Sequence, residues 1–284
     1  MGEAVRCIER RFRVNSCIFP VPFEHRKSYD FSMNNLMNKR VLITGASAGI
    51  GRALAISLSK KGCELFLLAR RKEKLEELKN ELGSSVKVTL IPHDINDKNL
   101  PEVLKKICLE DLDILINNAG LALGRDKVES ANFEDFETMI QTNVISNFRI
   151  IHAVVPWMLK KGGGDIVNLC SIAGHYTYPG GSVYTATKHA VHAFTKTLRE
   201  ETAGRNLRVM LMSPGMVDTE FSTVRFKGDK ASADAVYAKM QPLMPEDIAR
   251  MMTFMLEEPR HVVIDEIITM PMAQGSPTTI VRNP

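Results

Sequence analysis

Short apolar runs alternate with amphipathic segments after residue 40, and this alternation constrains the fold more than any other feature of the chain. The first run, Val41–Ile43, is followed by Ile50, Leu54 and Leu58 at helical spacing. This order, an apolar run followed by apolar residues at helical spacing, recurs along the rest of the chain. Repeated strand–helix–strand units build a parallel sheet with helices on both faces. We therefore predict an α/β fold with one doubly wound parallel sheet of about seven strands.

Further apolar runs predict where the other strands lie. They are Cys63–Ala69, Val86–Ile91, Leu112–Ile116, Ile166–Leu169, Leu207–Met212 and Val262–Thr269. The apolar spacing also predicts a long helix from about Asn132 towards Trp157. The segment from Thr219 to about Met240 has no clean period, and no element is predicted there.

Composition excludes several classes of protein. No apolar run approaches the roughly 18 residues that a membrane span requires. The net charge of +4 is too small for a dedicated nucleic-acid-binding protein. The five cysteines are scattered, and His175, His189 and His192 lack the spacing of a metal motif, so we predict neither a disulfide framework nor a metal site.

The surplus of positive charge belongs to the beginning of the chain. Residues 1–40 hold eight Lys/Arg and four Asp/Glu, whereas the rest of the chain holds 29 of each. We predict that residues 1–38 form an extension that is disordered, loosely docked or a targeting segment, and that residues 39–284 form one domain. We expect a cytoplasmic protein, with an organellar location through the extension as the alternative.

A glycine-rich turn joins the first predicted strand to the first helix. Its sequence is Gly45-Ala46-Ser47-Ala48-Gly49-Ile50-Gly51. Glycines at these positions permit a tight turn and close approach of the backbone to a pyrophosphate, which the helix N-terminus then attracts. The turn therefore predicts a dinucleotide site.

Two arginines at the end of the second strand indicate which dinucleotide is bound. An acidic residue there would bond the ribose 2′-hydroxyl of NAD, but this chain has Arg70 and Arg71. Guanidinium groups match the geometry and charge of a phosphate. The alternative is a solvated basic helix start. We predict NADP(H) as the cofactor.

A tyrosine and a lysine one helical turn apart follow the fifth strand. Tyr184 and Lys188 share a helix face, because residues four apart point the same way. A neighbouring ammonium favours the phenolate, so Tyr184 could exchange a proton with a substrate oxygen during hydride transfer. Ser171, which follows the fifth strand, could hold that oxygen by a hydrogen bond.

Together these motifs resemble the short-chain dehydrogenase/reductase family over essentially all of Lys39–Met272. The resemblance rests on the glycine turn, Asn117-Asn118-Ala119-Gly120, Asn143, Ser171, Tyr184, Lys188 and Pro214-Gly215. It implies a single Rossmann domain, an NADP(H) site and a homodimer or homotetramer. It also implies that Asn143, Ser171, Tyr184 and Lys188 form a catalytic tetrad, in which the backbone of Asn143 holds a water linked to the lysine.

The resemblance implies further cofactor contacts beyond the glycine turn and the arginine pair. Asp94 and Ile95 would lie against the adenine, and Asn118 and Gly120 would line the ribose side. Lys188 would bind the nicotinamide ribose, and the segment from Pro214 to Thr219 would lie near the carboxamide. The complete set of these implied residues is Asp94, Ile95, Asn117, Asn118, Ala119, Gly120, Tyr184, Lys188, Pro214, Gly215, Val217 and Thr219.

Three stretches resemble more narrowly the NADP-dependent 3-hydroxy acid dehydrogenase branch, which includes serine and allo-threonine dehydrogenases. They are the stretches 117–124, 136–143 and 219–229. In the last of them, Arg225 or Lys227 could pair with a substrate carboxylate, or could belong to a solvated lid. Two alternatives stay open at this stage: a reductase of a bulkier carbonyl such as a steroid, retinoid or xenobiotic, and a non-catalytic NADPH-binding regulatory protein.

Overall fold

A computed structural model describes residues 36–282. The predicted extension, residues 1–38, lies outside the described residues apart from its last three positions. In those, Leu36 is buried and its carbonyl oxygen lies 3.3 Å from the Cys63 sulfur, while the Asn38 amide donates to the Gly62 carbonyl.

The described part of the chain contains one seven-stranded parallel sheet. Its strands are β1 Arg40–Thr44, β2 Glu64–Ala69, β3 Val88–Pro92, β4 Ile114–Asn117, β5 Gly164–Leu169, β6 Leu207–Pro214 and β7 Glu266–Thr269. Their order across the sheet is β3-β2-β1-β4-β5-β6-β7, and every pair is parallel. The predicted doubly wound Rossmann-type sheet is thereby confirmed.

Helices cover both faces of this sheet. They are α1 Gly49–Ser59, α2 Lys72–Leu82, α3 Leu100–Ile107, α4 Phe133–Ile140, α5 Asn147–Lys161, α6 Ser182–Thr202, α7 Glu220–Arg225, α8 Lys230–Tyr237 and α9 Pro245–Glu257. Successive strand residues point to opposite faces. In β1, Val41 and Ile43 join the core cluster beneath α1 and α9, whereas Leu42 joins the cluster beneath α3 and α5. None of the helices within residues 36–282 is long and apolar enough to cross a membrane.

Most predicted strand ends agree with the structure to within two residues, and three larger differences stand out. The predicted long helix is divided by a π-helical turn, Gln141–Ser146, between α4 and α5. The segment after Thr219, where no element is predicted, contains α7 and α8, and their buried residues are Ser222 and Ala233, so neither helix has a repeated large apolar side chain on its buried face. The last strand begins at Glu266 rather than Val262, because the Val262 amide closes a turn onto the Pro259 carbonyl.

A buried ion pair links β5 to β6 at the edge opposite the strand carboxyl ends. Arg208 donates two hydrogen bonds of 2.8 and 2.9 Å to the Asp165 carboxylate, and both side chains are almost fully buried. Arg208 also donates to the carbonyls of Leu256 and Glu258, which tie it to the end of α9.

We expect Asp165→Asn to lower the free energy of unfolding by about 3 kcal/mol, because the buried guanidinium would lose its counter-charge. Urea unfolding followed by circular dichroism measures this change. Asp111→Asn is the matched control, since Asp111 pairs with Arg40 at an exposed position and such pairs contribute about 1 kcal/mol at most. Equal effects of the two substitutions would contradict the prediction.

Candidate active site

The carboxyl ends of the strands form the edge of the sheet at which the predicted site residues gather. β1 and β4 are neighbours there, although two strand–helix units separate them in the chain. At such a switch point the connections leave in opposite directions, so a crevice opens above the strand ends. The Thr44 hydroxyl bridges the crevice by accepting from the Asn118 and Ala119 amides, each at 2.9 Å.

The glycine turn lies at this crevice and has backbone conformations that require glycine. Gly45 has a φ of +68°, which side chains rarely tolerate. A Cβ on Gly51 would lie 2.4 Å from the Gly45 carbonyl oxygen. The first turn of α1 has no side-chain cap, so its amide groups remain available to an anion.

A groove of about 390 Å³ runs along the crevice. Most of the residues predicted to bind the cofactor line it, namely Gly45, Ser47, Gly49, Ile50, Arg70, Arg71, Asp94, Ile95, Asn118, Ala119, Gly120 and Thr219. Arg70 is exposed at the end of β2. Arg71 donates to Glu220 at 2.8 Å and to the Ser47 hydroxyl at 3.2 Å. Two guanidinium groups therefore stand at one end of the groove.

A second cavity of about 220 Å³ adjoins the groove, because Ile50, Asn118, Gly120 and Thr219 line both. The other predicted residues that line it are Ser171, Tyr184, Lys188, Pro214, Gly215 and Val217. The structure thus brings together, in one cavity, side chains from the end of β5, from α6 and from the end of β6.

Tyr184 and Lys188 are both almost fully buried at the floor of this cavity. The Lys188 Nζ lies 5.9 Å from the centre of the Tyr184 ring and donates to the Leu169 carbonyl at 3.0 Å. The Ser171 hydroxyl lies 3.3 Å from the Pro214 carbonyl and accepts from the Ala173 amide at 3.1 Å. These bonds hold Lys188 against the end of β5 and Ser171 against the end of β6, and Tyr184 lies beside both in the same cavity.

Burial changes the acid–base properties of the pair. It raises the pKa of Tyr184 well above its ordinary value, while a hydrogen bond from Ser171 and the charge of Arg225 act in the opposite direction. Burial also lowers the pKa of the Lys188 ammonium. Both shifts follow from the cost of placing a charge away from water. The phenol of Tyr184 is consequently neutral in the free protein at neutral pH.

Three of the predicted tetrad and cofactor-binding residues line neither cavity. Gly51 packs against the Gly45 backbone and the Asn118 side chain, and the Asn117 side chain is buried with its amide 3.4 Å from the Asn147 carbonyl. Asn143 lies in the π-helical turn and is completely buried. Its side chain accepts from the Leu121 amide at 2.8 Å and donates to the Leu121 carbonyl at 2.7 Å. Asn143 thereby holds the loop after β4 against α4 and α5.

The structure separates the two cations of the stretch after Thr219. Arg225 lines the second cavity, with its guanidinium 5.7 Å from the centre of the Tyr184 ring. It donates to the Gly124 carbonyl at 3.1 Å and lies 3.3 Å from the Tyr178 hydroxyl. Lys227 lines neither cavity and pairs with Asp135 at 2.8 Å.

Sequence reasoning missed part of the cavity wall. The missed residues include Tyr178, Phe221 and Tyr237, and from the end of the chain Gln274, Pro277, Ile280 and Arg282. Gln274 is buried and accepts from the Met216 amide at 2.9 Å, which joins the chain end to the segment after β6. This chain end has no periodic pattern, so no sequence signal pointed to it.

Comparisons with known proteins agree with this arrangement. A family model described as "short chain dehydrogenase" matches residues 39–230. The chain is similar to "NADP-dependent 3-hydroxy acid dehydrogenase" of Schizosaccharomyces pombe, with 46% identity over 256 residues that cover 88% of this chain and 99% of that protein. It is also similar to "Sulfoacetaldehyde reductase 2" of Chromohalobacter salexigens. The identity is 39% over 248 residues, which cover 84% of this chain and 96% of that protein.

Similarity extends to solved structures. The closed form of serine dehydrogenase complexed with NADP+ matches the chain with a TM-score of 0.80 at 38% identity, covering 86% of this chain and 100% of that one. The similarity therefore includes most of the chain in both sequence and structure.

Proposed function

The chain belongs to the short-chain dehydrogenase family, and from this premise we propose that it interconverts a small 3-hydroxy acid and its carbonyl compound. It is an oxidoreductase that acts on CH–OH groups with NADP(H). The observation that carries the substrate class is the position of Arg225, 5.7 Å from the Tyr184 ring in one cavity. A cation so close to the phenol suits a substrate whose carboxylate lies a few bonds from its hydroxyl.

The groove has the chemistry that NADP(H) requires. Its glycine turn leaves backbone amides open to a pyrophosphate, and Arg70 and Arg71 offer guanidinium groups to a 2′-phosphate. When bound, the nicotinamide supplies or accepts the hydride. We assign Asp94 and Ile95 to the adenine end of the cofactor. The residues that line both the groove and the second cavity are assigned to its nicotinamide end, beside Tyr184.

The tetrad residues transfer the proton of the substrate oxygen and hold that oxygen in position. Tyr184 donates a proton to that oxygen during reduction and removes one during oxidation. Ser171 holds the same oxygen by a hydrogen bond. The Lys188 ammonium favours the phenolate of Tyr184 when a proton must be taken up. Asn143 is a positioning residue, because its contacts are with the loop after β4 and with Thr187 on α6.

We expect Arg225→Ala to raise KM for a 3-hydroxy acid about 10- to 100-fold while kcat changes less, because a charge-assisted hydrogen bond contributes about 1.5–3 kcal/mol. Steady-state kinetics with saturating NADP+ measures both constants. Lys227→Ala removes the same charge from the same segment and should leave KM nearly unchanged, since Lys227 pairs with Asp135. An unaltered KM in Arg225→Ala would show that Arg225 does not bind the substrate carboxylate.

A sulfonate substrate is the second candidate. A guanidinium binds a sulfonate as it binds a carboxylate, and one similar protein is named for sulfoacetaldehyde. A steroid-sized substrate is disfavoured, because the cavity of about 220 Å³ is smaller than the roughly 300–1,000 Å³ of pockets for drug-sized ligands. The intact arrangement of Tyr184, Lys188 and Ser171 also disfavours a non-catalytic regulatory protein.

A substrate screen distinguishes these candidates. NADP+ reduction would be followed at 340 nm with L-serine, allo-threonine, 3-hydroxyisobutyrate, 2-hydroxyethanesulfonate and a steroid alcohol. We expect kcat/KM to be highest for one of the 3-hydroxy acids. A preference for the steroid alcohol, or no turnover of any hydroxy acid, would contradict the proposed substrate class.

Self-association forms part of the proposal. Phe254 on α9, Ile268 on the edge strand β7 and Met272 after it each expose about half or more of the side chain to solvent. β7 is the edge strand of the sheet, and exposed large apolar side chains together with an open sheet edge favour contact with a second copy. We therefore infer a homodimer or homotetramer. Light scattering coupled to size-exclusion chromatography measures the mass, and a monomer at micromolar concentration would contradict it.

Location in the cytoplasm is supported by the described cysteines. Cys63, Cys108 and Cys170 are buried free thiols, and proteins of reducing compartments retain such thiols. A fluorescent fusion of the full chain tests this location beside a matched fusion that lacks residues 1–32. Import of the full fusion alone into an organelle would support the alternative.

A further inference from the structure

Three titratable side chains that the proposed chemistry does not use meet behind the loop of Ser171. His175 follows the short helical turn Ile172–Gly174, His192 lies on α6, and Glu266 begins β7. Their ligand atoms all lie within 4.8 Å of one another, and each side chain is largely but not completely buried. None of the three lines the groove or the second cavity.

The distances approach those of a metal site. The His175 Nε2 lies 2.7 Å from one Glu266 oxygen, and the His192 Nε2 lies 3.5 Å from the other. The imidazole rings are in edge contact, with centroids 4.6 Å apart. Tetrahedral Zn²⁺ with bonds of about 2.1 Å places neighbouring ligand atoms about 3.4 Å apart. Small side-chain rotations would therefore bring the three ligand atoms to one ion.

The ligand set selects a class of ion. Two imidazoles and one carboxylate form a known three-residue set for Zn²⁺, which completes its coordination with water or another small ligand. Imidazole suits Zn²⁺, Cu²⁺ and Ni²⁺, whereas Mg²⁺ prefers oxygen ligands. We propose that His175, His192 and Glu266 bind a divalent transition-metal ion of this class.

Two neighbours of Glu266 decide how readily the ion binds. The Ser213 hydroxyl donates to Glu266 at 2.6 Å and would remain as an outer partner that orients the carboxylate. The Lys196 Nζ lies 3.3 Å from the other Glu266 oxygen and competes with the ion for it. Lys196 also bonds Asp265 at 2.6 Å, so it retains a partner when it leaves Glu266.

Binding would join three elements that carry or support the active site. His175 lies close after Ser171 in the chain, and α6 carries both Tyr184 and Lys188. Ser213 immediately precedes Pro214, whose carbonyl lies 3.3 Å from the Ser171 hydroxyl. An ion that binds only the folded chain raises its thermal stability by mass action. The site therefore links metal binding to the stability of the loop that carries Ser171.

Titration of the full chain with Zn²⁺ against a chromophoric chelator tests the proposal. We expect one Zn²⁺ per chain to be lost, or its affinity to fall on the order of tenfold or more, in His175→Asn and in His192→Asn. His189→Asn is the matched control on the same helix, because His189 bonds the Thr185 carbonyl instead. Saturation with NADPH should leave Zn²⁺ binding unchanged, and Mg²⁺ should not compete.

Lys196→Met should change the Zn²⁺ affinity in the opposite direction to the histidine variants, and it leaves all three ligands in place. Removal of the competing ammonium should increase Zn²⁺ affinity several-fold and enlarge the Zn²⁺-dependent rise in Tm. The proposal is overturned if the wild-type chain and the two histidine variants bind Zn²⁺ equally, or if Lys196→Met leaves the affinity unchanged. Circular dichroism and NADPH binding establish that each variant is folded.

Discussion

Tyr184→Phe is expected to abolish turnover while leaving NADPH binding intact. The substitution removes only the phenolic hydroxyl, so the ring still packs beside Phe221, 5.7 Å away between centroids. Loss of a positioned acid–base group costs about 10²–10⁴-fold in rate. We expect kcat to fall by at least about a thousandfold, with the Kd for NADPH changed less than about twofold.

Stopped-flow or steady-state NADPH oxidation measures kcat, and fluorescence titration measures the Kd for NADPH. Tyr176→Phe is the control, because Tyr176 is exposed and lines neither cavity. Retention of wild-type kcat in Tyr184→Phe would exclude the tyrosine as the acid–base group. A parallel loss of NADPH binding would show instead that the hydroxyl supports the cofactor site or the fold around it.

The pH profile of the wild-type enzyme gives a second readout of the same residue. Burial raises the pKa of Tyr184, so the phenol is protonated over the neutral range. Oxidation of the alcohol needs the deprotonated form, and its kcat/KM should therefore rise as the pH approaches that raised pKa. Reduction needs the protonated form and should persist to alkaline pH. The rise should be absent from any residual activity of Tyr184→Phe.

Arg70→Asp is expected to remove the preference for NADPH over NADH. The substitution replaces a guanidinium that can bind a 2′-phosphate with a carboxylate that repels it and can bond a ribose hydroxyl instead. Loss of a charge-assisted hydrogen bond of about 1.5–3 kcal/mol, together with new repulsion, should lower the ratio of kcat/KM for NADPH to that for NADH on the order of a hundredfold.

Kinetics with each cofactor at a fixed carbonyl substrate measures that ratio. Lys74→Asp makes the same change of charge on α2, where Lys74 pairs with Glu77 and does not line the groove, and it should leave the ratio nearly unchanged. An unaltered ratio in Arg70→Asp would mean that Arg71 alone, or another group, recognises the phosphate.

Arg71 already has two side-chain partners at the groove, and one of them is a carboxylate. Arg71 is shared between Ser47 in the glycine turn and Glu220 at the start of α7. A 2′-phosphate at Arg71 would compete with the Glu220 carboxylate. The start of α7 therefore contacts the same arginine that faces the cofactor groove, and the end of α7 carries Arg225 on the substrate side.

Patterns within short stretches of sequence determined much about this protein. Alternating apolar runs predicted the parallel sheet, and the family membership that the motifs indicated is confirmed. Tyr184 and Lys188 could be paired from the sequence because a helix has a regular repeat. The same reasoning could not choose between Arg225 and Lys227, which are two residues apart in a segment without a clear period.

Only the tertiary structure decided which distant residues meet. Arg225 reaches the cavity because α7 folds over Tyr184, whereas Lys227 turns to Asp135. Gln274 closes the wall by accepting from the Met216 amide, and His175, His192 and Glu266 converge from three separate elements. Contacts within one helix or turn follow from backbone geometry, which sequence patterns record. Contacts between elements depend on how whole faces pack, and no local pattern records that packing.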